Sequence, residues 1–111
     1  ERIFAYRALC FAREDSTILP GFDENSYAIS ANANSRTVDD LLLEFQLVRN
    51  STIALFNSFS DKMLMREGTC FNKTISVLAI GFVISGHALH HLNTIKERYY
   101  PLLNQKITNF T

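Results

Sequence analysis

Histidines 87, 90 and 91 are the only imidazoles in the chain, and they fall together in the stretch GHALHH at positions 86–91. On an α-helix, at about 100° per residue, His91 lies about 40° from His87 and one turn above it, while His90 falls about 60° to the other side. Two imidazoles spaced i, i+4 can close on one divalent cation. Imidazole nitrogen suits zinc or nickel among first-row metals. Two rings alone would leave the remaining coordination to water and bind weakly. No third ligand is visible: there is no further histidine, and Cys10 and Cys70 sit in the apolar contexts ALCF and TCF. On spacing alone, histidines that simply pack or hydrogen-bond explain the pair better than a metal does.

The neighbours of the pair sharpen the question. Ile80, Val83, Ile84 and Thr94 share its stripe, so the two rings are expected to face inward. Buried imidazoles need partners, because unpaired polar groups are costly in an apolar setting. Gly81 and Gly86 each cost the helix about 1 kcal/mol relative to alanine. Close approach of another helix or of a ligand would account for them.

Three helices must position these rings. The first spans about 1–13; its apolar rhythm is present from the first residue, with no initiator Met and no cap, which reads as a helix cut short. Turn formers Asp15, Ser16, Pro20, Gly21, Asp23 and Asn25 then open a crossover over 15–36. A connection this long lets the next helix run parallel to the first. The second helix spans about 37–59, with Thr37 as N-cap, Asp40 completing a capping box, and Val38, Leu41, Leu42, Phe45, Val48, Ile53, Leu55 and Phe56 giving the apolar spacing. An irregular link with turn points at Gly68 and Asn72 leads to a third helix over about 75–100, which Pro101 is expected to stop. An amphipathic tail, LLNQKITNF, follows. No stretch alternates as a strand would, so the fold class is all-α.

Composition narrows the functions. The 111 residues carry eleven basic and eleven acidic side chains, for a formal net charge of zero. That gives no electrostatic case for nucleic acid or for an anionic membrane surface. The most apolar run, ISVLAIGFVIS, is about half the length of a membrane span. Two cysteines without metal spacing read as reduced and packed. Asn-x-Ser/Thr triplets at Asn50, Asn72 and Asn109 carry little weight without a signal peptide.

Two stretches bring a family into view. ERIFAYRALCFAREDSTILPGFDENSY and ISVLAIGFVISGHALHHLNTIKERYY, with FNSFSDKMLMREGTCFN between them, resemble the DinB superfamily over nearly the whole chain. The resemblance implies a four-helix bundle of up-down-down-up topology, with 1–111 a partial domain lacking the first helix and the start of the second. It implies a divalent metal site of three histidines, two of them matching His87 and His91, the third upstream of Glu1. It implies a bacterial cytoplasmic protein acting on a small-molecule substrate, as a thiol-dependent S-transferase with a low-molecular-weight thiol as co-substrate, or in related metal-assisted, hydrolase-like chemistry. Open metal positions can hold a thiolate or activate water. His90 is then a neighbour of the site or packing. Arg7 would share the face of the upstream histidine and meet an anionic substrate group, although an ion pair with Glu44 is the plainer role. Thr94 extends the His87 stripe, with a bond back to its own helix the plainer fate. The catalytic residues themselves are left unassigned. The rival reading is a non-catalytic scaffold that forms a homodimer or docks a partner through an apolar groove.

If the third ligand lies upstream, these 111 residues as a monomer bind zinc more weakly than micromolar. Stoichiometric micromolar binding by calorimetry would contradict that.

Overall fold

The computed structural model describes residues 1–103. Over these residues the protein is mostly helical with one small two-stranded sheet. Helix α1 spans Arg2–Ala12, α2 Glu24–Ser30, α3 Val38–Asn57, α4 Asp61–Leu64 and α5 Val77–Thr94. Strands β1, Glu67–Cys70, and β2, Lys73–Ser76, form an antiparallel hairpin between α4 and α5. The residues divide into two units, Glu1–Gly81 and Phe82–Thr111, the boundary falling inside α5.

Helix α3 starts where the sequence places its cap. The Thr37 hydroxyl accepts the Asp40 N–H, and Asp39 and Asp40 lie in the first turn of α3, where negative charge meets the positive end of the helix dipole. Local chemistry also builds two helices that periodicity misses. Asp23 accepts the N–H groups of Asn25 and Ser26 and starts α2 inside the expected crossover, followed by a 3-10 turn at Ala33–Ser35. Ser60 likewise caps the single turn of α4. Neither segment is long enough to display a 3.6-residue rhythm.

The hairpin corrects the expectation of a strand-free chain. Phe71 and Asn72 form its two-residue turn, both at positive φ (52° and 58°), as the hairpin-favouring type I′ turn demands. Asn72 suits that conformation, whereas Phe71 is strained there. Tertiary contacts hold it. The Phe71 ring lies where a Cβ on Gly21 would stand, and the Arg7 guanidinium lies 5.3 Å from its centroid. Gly68, expected at a turn, sits within β1. A Cβ there would fall 2.1 Å from the Phe11 ring, so the strand backbone lies directly on that buried side chain. The chain after α1 joins the sheet as well: Leu19 N–H donates to the Thr69 carbonyl, bridging Leu19 to Cys70.

The core of the first unit gathers Ala8, Phe11, Ala12, Val77 and Ile80, all fully buried, with Cys10, Leu19, Phe59 and Cys70 nearly so. Both cysteines are free and buried. Helix α1 packs on α3 and on β1, and Gly81 of α5 admits the Phe56 ring of α3. Arg66 ties the parts together: its guanidinium donates to the Ala12 carbonyl at the end of α1 and pairs with Glu14, while its own carbonyl accepts the Val77 N–H.

Charged side chains fasten the crossover to the helices. Arg36 bonds Asp40 and Glu44, and Glu44 also accepts from Arg2 of α1. The Arg36 hydrogen bond holds the Asp40 carboxyl below its ordinary value, and those of Arg2 and then Arg36 do so for Glu44. Arg49 forks onto Glu1 with contacts of 2.9–3.2 Å.

In the second unit, Ile84 is buried, and α5 leads into a π-helical turn at Ile95–Tyr99. Residues 100–103 remain helical, so Pro101 does not end the helix as expected. The wide turn is the physical reason: Tyr100 N–H reaches back to the Ile95 carbonyl, loosening the turn that a proline ring would otherwise strike. Most of the expected tail, and with it the triplet at Asn109, lies outside the described residues. Among the described residues, no helix is long and apolar enough to cross a membrane.

Two measurements check this account. Gly68→Ala should destabilise the chain by about 1–3 kcal/mol, the usual cost of forcing a methyl into a packed core, read from the urea midpoint at unchanged m-value. For Glu44, a lowered folded pKa gives stability that is fully present above the unfolded carboxylate pKa and lost as pH falls through the folded value. Between about pH 5 and 3, Glu44→Gln should therefore flatten the fall in urea midpoint; an identical acid limb in both proteins would contradict the pairing.

Candidate metal centre

His87, His90 and His91 all lie on α5 within the second unit. The i, i+4 spacing does locally what the helix dictates. The Nε2 atoms of His87 and His91 approach to 3.1 Å, with ring centroids 4.4 Å apart and ring planes at 88°. Without a cation, nitrogens this close require one ring to donate and the other to accept. With zinc at about 2.0–2.1 Å from each nitrogen, and a bite between right-angled and tetrahedral, the two nitrogens would stand about 2.9–3.4 Å apart. The observed separation falls inside that range. The separation is thus compatible with a shared cation as well as with a hydrogen bond between the rings.

His90 does not join the pair. Its ring meets that of His91 edge-on, at 5.4 Å between centroids. Thr94 donates its hydroxyl to the His90 carbonyl at 3.0 Å, the back-bonded fate expected of a threonine one turn on. That bond occupies its proton and leaves its oxygen beside the backbone.

The rings are not enclosed as their stripe implied. All three histidines are exposed, as are Phe82, at 71%, and Leu89, at 59%, along the same helix. A stripe of Ile80, Val83 and Ile84 leads inward only while other chain covers it: Ile80 and Ile84 are buried, but Val83 is already exposed. Periodicity reports which face is apolar, not how far along the helix a neighbour extends.

Arg7 does not make the ion pair expected of it with Glu44. It belongs to the first unit, is 3% exposed, and donates from Nη2 to the Pro20 carbonyl at 3.0 Å. The guanidinium lies 5.4 Å from the Phe4 centroid and 5.3 Å from that of Phe71. Stacking on aromatic faces is a recognised way to settle a buried cation. The expected partner Glu44 is taken by Arg2 and Arg36, so the Arg7–Glu44 ion pair does not form. Arg7 anchors the loop after α1 and the tip of the hairpin. No periodic pattern could reveal this, because Pro20 and Phe71 are distant in sequence.

Among the described residues, no group of three or more His, Cys, Asp or Glu converges to hold a metal ion. The pair thus offers two nitrogens, and a cation bound there would take its other ligands from solvent or from chain beyond these residues.

Zinc added to this chain should perturb the imidazole resonances of His87 and His91 together in ring-selective NMR. Replacing His90 by alanine should leave that response intact, while either His87→Ala or His91→Ala should reduce it at least tenfold in apparent affinity. A response that follows His90 instead would refute a cation shared by the pair.

No protein-family model matches this chain, and the comparisons with curated proteins and with solved structures likewise return no significant match.

Proposed function

We propose that this chain is part of a DinB-type four-helix bundle whose His87 and His91 hold a divalent cation, zinc or nickel, together with a third imidazole N-terminal to Glu1. The observation that carries the reading is the 3.1 Å approach of the two Nε2 atoms on one turn of α5. Their spacing matches what a shared cation needs, and nitrogen donors suit these metals. A cation with three nitrogen ligands keeps positions open, and there it can polarise a carbonyl, acidify water or hold a thiolate. On this reading the protein is a cytoplasmic enzyme acting on a small molecule, as an S-transferase with a low-molecular-weight thiol or in related metal-assisted chemistry. The catalytic part rests on the family resemblance. Exposed rings supply none of the dry, low-dielectric surroundings that strengthen such chemistry.

A second reading has its own support. Phe82, Leu89, Leu92 and Ile95 are all exposed on α5 and its continuation. Apolar side chains gathered on one exposed helix favour association. A non-catalytic module that dimerises or receives a partner helix would use them.

Metal content separates the two. The intact protein, purified with its upstream residues, should carry about one divalent ion per chain, and His87→Ala or His91→Ala should each lose most of it. Equal occupancy in all three proteins would remove these residues from the site and leave the scaffold reading.

A further inference from the structure

We draw no further inference here: the strongest candidate, the exposed apolar surface of α5 beyond Gly81 around Phe82 and Leu89, carries nothing because nothing in the structure shows what covers it.

Discussion

The backbone of β1 rests on the ring of Phe11, and the first unit is arranged around that contact. Phe11 is fully buried, and a Cβ at position 68 would clash with its ring unless one of the two moved. The strand accordingly presents a glycine to the end of α1. Once it does, β1 lies close enough for Leu19 to join the sheet through the Thr69 carbonyl. The same approach brings Arg66, one residue before β1, within reach of the Ala12 carbonyl at the end of α1. A helix terminus leaves its last carbonyls without intrahelical partners, and a charged donor is a strong way to satisfy one. Close packing and helix capping are thus one event seen from two sides.

Arg7 shows how far the consequences reach. Its side chain is drawn inside by the two rings and the Pro20 carbonyl, not by a carboxylate. That arrangement depends on Phe71 standing at the hairpin tip in a strained conformation. Strain of this kind persists where surrounding contacts over-determine it. The loop after α1 is therefore held at two adjacent residues, Leu19 on the sheet and Pro20 on Arg7. Carboxylates are used elsewhere, at the surface, where Arg36 and Arg2 share Glu44. Exposed pairs of this sort contribute little each, and their weight comes from being linked.

The histidine pair is a contrast in locality. Four residues of helix suffice to bring His87 and His91 together, whatever else the chain does. Among the described residues, no third His, Cys, Asp or Glu side chain converges on the pair. The distance between the two nitrogens is compatible with a shared cation.

Short-range physics was readable from the residues themselves. Thr37 announced the start of α3 by accepting the Asp40 N–H, the spacing of His87 and His91 announced their meeting on α5, and Thr94 bonds back to the His90 carbonyl one turn before it. In each case cause and effect lie within one helical turn. The hairpin was hidden because Phe71 is an unusual residue for a turn at positive φ, and its place is won by Gly21 and Arg7, some fifty or more positions away. Gly68 was legible as a special position but not as a packing surface, since only folding brings Phe11 beneath it. The exposure of the rings was likewise undecidable from the apolar stripe. Periodicity within a helix is set by its own residues, whereas burial is set by whichever other segments arrive, and only the tertiary structure decides that.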